Sequence, residues 1–217
     1  MPRLRQLHRS EVSSEVLATY TRFFEQRDPV SEPGTSTGTP GNWWTVFALM
    51  PDIMAYFQAG GALMRSNSRI VTRYFTELSI LRAAFVRGSK FVFSQHCKAG
   101  RAAGISEEKI REIPAWPGSE VFDAKERALL AYIDEFALCD GRVQDPTFTR
   151  LKGHFKDEEI LELTYFAGLY QMYAMISRAL RLEYDDFDER VVEVPAPAGS
   201  AAAIDIMAAI GGEAAKK

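Results

Sequence analysis

The sequence is poor in the residues that most often carry redox and metal chemistry. In 217 residues it has two cysteines, Cys97 and Cys139, and three histidines, His8, His96 and His154. Two cysteines make no disulfide framework, and a reduced compartment is expected. Neither H-E-x-x-H nor paired C-x-x-C occurs, so no metal site is expected. Dinucleotide-binding and P-loop glycine motifs are missing too. No apolar run is long enough to span a bilayer, and residues 1–20 lack the uninterrupted apolar core of a secretory signal. These absences lead to the expectation of a soluble, cytoplasmic protein with no membrane partner. Basic tracts with interleaved aromatics are also lacking, and the net charge is −3 with a pI near 5.7, which argues against nucleic acid as a partner.

Strand-period alternation is absent over any length, and the chain reads as all-α, with a single domain over 1–190 and a linker and tail over 191–217. A first helix is expected over residues 11–26, capped by Ser10, with Val12, Val16, Tyr20, Phe23 and Phe24 on one face. The segment PVSEPGTSTGTPG (residues 29–41) is a loop with few apolar residues to hold it down. It reads as a surface connection, a lid or an oligomer arm. Trp43 and Trp44 open an apolar segment. Being adjacent, they are expected to diverge, one to the core and the other to a pocket or a neighbouring subunit. Pro51 restarts a helix. Further helices follow from about Ser68–Ile70, from Ser89, from Ser106, from the Asp123–Glu126 capping box, from Asp145-Pro146 and over 158–181. Val191–Val194 reads as a short extended piece, and residues 200–210 as a weak Ala-rich helix.

The chain's chemistry centres on the hairpin from Tyr74 to Gly104. Glu77 lies eleven residues before Gly88 and His96 eight after it. At about 1.5 Å per residue these are axial heights of roughly 16 and 12 Å from the turn. The difference is less than one helical pitch, so antiparallel helices can bring the two side chains together. A carboxylate beside an imidazole fixes its tautomer, and histidine is a natural general acid or base. Spacing alone leaves a second reading open, in which each side chain is satisfied separately.

The pattern E-L-x-I-L-R-A-A from Glu77, then a turn, then H-x-x-x-x-R-A-A-G-I-S from His96, resembles the carboxymuconolactone decarboxylase and alkylhydroperoxidase D-like family. The segments F-D-A-K-E-R-A-L-L-A-Y-I-D-E-F and F-K-D-E-E-I-L-E-L resemble its second half. The resemblance covers about residues 43–182. It implies an all-α AhpD-like bundle that assembles into a homo-oligomer, a trimer or hexamer, with active sites near subunit contacts. The family's redox branch carries C-x-x-C ahead of the histidine. Counting back from His96, those positions are Ser89 and Val92. The non-redox branch places a Glu four residues before the histidine, and Val92 stands there as well.

The resemblance therefore implies a cofactor-independent lyase or isomerase acting on a small carboxylated or lactone substrate of aromatic catabolism. His96 would be the acid/base and Glu77 its support. Arg82, Lys90 and Arg178 are candidate partners for the substrate's negative charge. Trp43, Trp44, Phe93 and Tyr173 are candidate pocket walls. Two alternatives stand beside this reading: a non-catalytic small-molecule-binding or structural oligomeric relative, and a peroxidase dependent on Cys97. Cys97 directly follows His96 and so points about 100° away from it on a helix. A buried small hydrophobe is the better reading of it.

Overall fold

The computed structural model describes residues 1–186 and 190–198. The Ala-rich helix expected over 200–210 lies outside the described residues. Among those residues the secondary structure is entirely helical, and no helix is long and apolar enough to cross a membrane. The chain divides into two compact units. One comprises residues 1–66 with the described parts of 177–189 and 194–217; the other comprises 67–176 and 190–193.

In the first unit, helix α1 (Ser14–Phe24) is capped by Ser13, whose side chain accepts from the Val16 amide. Ser10 does not cap it. Arg9–Glu11 forms a 3-10 turn, and Glu11 reaches back to the His8 amide at 2.7 Å, so the helix starts three residues after the turn. Val16, Tyr20 and Phe24, at i, i+4 and i+8, form its buried face. The loop that follows is anchored. Thr35, Thr37 and Thr39 are buried, with Thr35 Oγ1 lying 3.1 Å from Thr37 Oγ1 and 2.8 Å from Thr39 Oγ1. Arg27 donates to the Glu32 and Gly34 carbonyls, each at 3.1 Å. Hydroxyls that satisfy one another let a polar segment bury without an apolar core of its own.

Helix α2 (Asn42–Phe47) carries both tryptophans, and both are buried. Trp43 stacks on Phe47 at 4.4 Å and Trp44 on Phe23 at 4.3 Å, while Phe57 of helix α3 (Pro51–Met64) meets both rings. The expected divergence of the pair therefore ends in aromatic packing on both sides. The N-terminus of α2 is held by Glu183, whose carboxylate accepts from Gly41 N at 3.2 Å and Trp43 N at 2.9 Å.

The second unit contains α4 (Arg73–Val86), α5 (Lys90–Ala102), α6 (Glu107–Glu112), a 3-10 segment (Ile113–Gly118), α7 (Ala124–Leu138), α8 (Asp145–Lys152) and α9 (Asp157–Leu180), whose last residues belong to the first unit. Every residue from Thr76 to Ala84 is buried, so α4 is the central helix, packed against α5 and α7. It begins at Arg73, later than the apolar pattern suggests. The backbone ahead of it is held in another way: the Ile70 and Val71 amides donate to the Glu162 carboxylate of α9, both at 3.3 Å. Ser89 caps α5 through the Val92 amide at 3.3 Å. Gly104, at φ 91°, ends that helix, and the Ile105 amide returns to the Gly100 carbonyl at 2.9 Å. Gly100 has a packing reason as well, because a Cβ there would meet Leu81 and Ile105 at 3.2 Å. Residues 191–194 lie outside any helix and pair in no sheet among the described residues.

Arg82 locks α4 to α7. Its guanidinium meets Asp134 at 2.5 and 3.0 Å and donates to the Ile113 and Pro114 carbonyls at 2.9 and 3.2 Å. Trp116 Nε1 donates to the same carboxylate at 2.8 Å. Removing the acid strands a buried cation, which costs about 3–5 kcal/mol. Asp134→Ala is thus expected to lower stability in denaturant titration by about 3 kcal/mol or more, whereas Asp157→Ala, at an exposed pair with Lys152, is expected to change it by less than about 1 kcal/mol.

Burial pushes the Glu183 carboxyl up to about 7, against the Trp43 and Gly41 amides that hold it down. A carboxyl raised in the folded state contributes stability that is full below its unfolded value, 4.5, and is lost as pH rises through about 7. Thermal melts between these limits are expected to show the melting temperature falling with pH. Glu183→Gln is expected to flatten that slope.

Candidate functional site

The hairpin turn brings Glu77 of α4 and His96 of α5 together. Gly88 takes the left-handed conformation at φ 70°, which a side chain would strain. Beyond it, α5 returns along α4. His96 Nδ1 lies 2.6 Å from Glu77 Oε2. The second carboxylate oxygen, Oε1, accepts from Arg73 Nε, also at 2.6 Å, one turn earlier on α4. Glu77 has no exposed surface, His96 is 2% exposed, and the Arg73 side chain is 30% exposed. The row Arg73–Glu77–His96 thus runs from a half-exposed cation inward to a buried imidazole.

Burial alone would push the Glu77 carboxyl up. The His96 ring, through charge and hydrogen bond, and then Arg73, outweigh it and hold the carboxyl below the usual carboxylate range. Glu77 is therefore an anion that can only accept. His96 Nδ1 carries the proton toward it, and Nε2 is the nitrogen left for proton exchange. Tyr170 of α9 meets the imidazole edge to face, with centroids 4.3 Å apart, and Tyr173 meets Tyr170 in the same way at 5.4 Å. The ring is thus fixed by a charged hydrogen bond on one nitrogen and by aromatic packing.

The other candidates fall elsewhere. Arg82 is not available as an anion partner, since Asp134 and two carbonyls take up its guanidinium. Lys90 is buried at the start of α5, and Arg178 is exposed near the end of α9. Phe93 is buried on α5 beside Phe85 at 5.9 Å. Trp43 and Trp44 belong to the aromatic packing of the first unit. Cys97 is fully buried, and burial pushes its thiol well up, away from the reactive thiolate. Cys139 is exposed, and both thiols are free. Two site residues went unread in the sequence. Arg73 had a signal, its i, i+4 spacing from Glu77. Tyr170 had none, being one of several aromatics on α9.

Residues 51–135 match the model of the carboxymuconolactone decarboxylase family. The chain is 24% identical over 111 residues to the uncharacterized protein YdfG of Bacillus subtilis, spanning 76% of that protein. It is 31% identical over 75 residues to the uncharacterized protein YnjA of Escherichia coli K12, spanning 41% of it. Among solved structures, it resembles a protein of unknown function from Agrobacterium tumefaciens suggested to be the antioxidant defence protein AhpD. The TM-score is 0.57 at 27% identity, covering 68% of this chain and 96% of the other. An uncharacterized peroxidase-related protein from Ralstonia eutropha JMP134 with an alkylhydroperoxidase AhpD core shares the fold, with a TM-score of 0.66 at 15% identity over 89% of this chain and 97% of the other. Residues 51–135 thus match the carboxymuconolactone decarboxylase family model, and the all-helical fold is that of AhpD-like structures.

Proposed function

We propose that the chain is a cofactor-independent lyase or isomerase that moves protons on a small carboxylated or lactone substrate through His96. The observation that carries this reading is the 2.6 Å contact of His96 Nδ1 with a carboxylate that Arg73 in turn anchors. With Nδ1–H donated to Glu77, Nε2 accepts a proton from the substrate. The imidazolium that forms lies against the Glu77 anion and returns the proton at another atom, for example the carbon left when carbon dioxide departs. Arg73 is a positioning residue, which keeps Glu77 ionised and aimed. The polar row sits in a buried, low-dielectric setting, where such preorganised charges count for most.

Two descriptions among the relatives point to peroxide chemistry, but two observations favour the proton-transfer reading. Ser89 and Val92 stand where the dithiol would be. The Ser89 hydroxyl is engaged as the cap of α5, with Val92 supplying the amide it accepts from. Cys97 is buried, and its thiol is pushed up. Assembly as a cytoplasmic homo-oligomer, a trimer or hexamer, is part of the proposal. The exposed apolar row Leu161, Tyr165, Met172 and Met175 on α9 supports it.

A screen of lactones, muconolactones and keto acids with wild type against His96→Ala tests the assignment. On any substrate that wild type turns over, a loss of about 10²- to 10⁴-fold in kcat is expected for His96→Ala. Equal rates from both would reject His96 as the catalytic group. Glu77→Gln is expected to lower kcat with little change in KM. Arg73→Met is expected to do the same to a smaller extent. Saturable binding without turnover of any substrate would instead favour the non-catalytic relative.

The pH dependence of stability follows from Glu77. Its carboxyl is depressed in the folded state, so its contribution is present above its unfolded value, 4.5, and is lost as pH falls through the lower folded value. Acid titration of wild type is expected to be steeper than that of Glu77→Gln, read by circular dichroism.

A further inference from the structure

The second unit has a cleft of about 330 Å³ that the His96 row does not line. Its floor is apolar, made of Phe93 and Cys97 of α5, Ile110 of α6, and Pro114. One side is closed by the irregular segment 190–193, which contributes Val191 and Val192. The volume suits a small ligand of a few to a dozen heavy atoms.

Four charged side chains line the same cleft, two acids and two arginines: Glu107, Glu193, Arg111 and Arg190. The acids are spoken for. Arg101 spans them, meeting Glu107 through Nε and through Nη2 at 3.1 Å, and Glu193 at 3.0 and 3.2 Å. That bridge also fastens segment 190–193 to the end of α5. Among the described residues, neither Arg111 nor Arg190 has a hydrogen bond or an ion pair, and both are exposed. The cleft therefore carries two exposed guanidiniums and two carboxylates that share Arg101, so with Arg101 counted it holds three positive charges against two negative, beside apolar side chains that include an aromatic ring.

We infer that this cleft is a second binding site, for a small amphipathic carboxylate whose anionic end meets Arg111 and Arg190 and whose apolar body lies on Phe93 and Ile110. The pairing follows from chemistry. Guanidinium recognises carboxylate through paired N–H donors, while the floor offers no polar partner for the rest of the molecule. A neutral isostere of the same shape would lose the charged contact. Inorganic phosphate would lose the apolar one. The inference is independent of the His96 reading, because no residue of that row takes part.

Isothermal titration of the full chain with benzoate, benzamide and inorganic phosphate tests it. Benzoate is expected to bind with 1:1 stoichiometry, and both benzamide and phosphate at least about tenfold more weakly. Arg111→Ala/Arg190→Ala is expected to lower benzoate affinity by about tenfold or more with an unchanged melting temperature, since both side chains are exposed. Ile110→Met, a change of shape in the floor, is expected to alter benzoate affinity while leaving phosphate as it was. No benzoate binding, equal binding of benzoate and benzamide, phosphate binding as tight as benzoate, or full affinity in the double variant would each overturn the site.

Discussion

Glu77 has no contact with water, and an ionised carboxylate in that setting is tolerable only if its neighbours neutralise it. Much of the second unit can be read as meeting that requirement. The first neighbour comes from the next helix, so α5 has to return along α4 at a fixed height and rotation. The second comes from one turn back on α4, so that helix has to begin at or before Arg73. Glu162 on α9 secures the backbone just ahead of that start. The small residue at Gly100 lets α5 approach α4 and the chain after it closely. Each feature has a local explanation, and together they fix the placement of one anion and the histidine it orients.

A second buried charge network, Arg82 with Asp134, stands on the same helix. The two differ in kind. Around Arg82 the four hydrogen bonds go to the scaffold, two of them to main-chain carbonyls. Around His96 one ring nitrogen is committed and the other is left for chemistry. Both networks use ionised groups deep in the protein, but the first is spent on holding α4 to α7, while the second, among the described residues, leaves one imidazole nitrogen without a hydrogen bond. That difference separates a structural ion pair from a candidate catalytic one, and it cannot be seen in the residue types alone.

The helices were legible in the sequence where capping chemistry is explicit. Ser89, Ser106 and the Asp123–Glu126 box mark starts that the structure has, because a side chain satisfying an orphan amide leaves its signature within three residues. Starts secured by distant groups were not legible: Glu162 at the lead into α4, Glu183 at α2. The same division runs through the site. Glu77 and His96 could be related by counting along a hairpin, and Arg73 by its place one turn away. Tyr170 is brought to the imidazole by the packing of a helix more than sixty residues on, and no local pattern encodes that. The 29–41 segment is a loop as expected, with few apolar residues to hold it down, but its hydroxyls bond to each other and so bury as a group.

The hydroxyl of Ser89 has a consequence for the chain's evolutionary options. At this position a thiol and a helix cap compete for one side chain, and sulfur is a poor acceptor for the amide three residues on. A substitution of cysteine for Ser89 would give up the cap, worth about 1 kcal/mol, before gaining any reactivity. Reactivity would still require a second cysteine at the buried Val92. Neither substitution alone would create a dithiol, so the capping serine and the buried valine set a barrier of two simultaneous changes, the first of which costs stability.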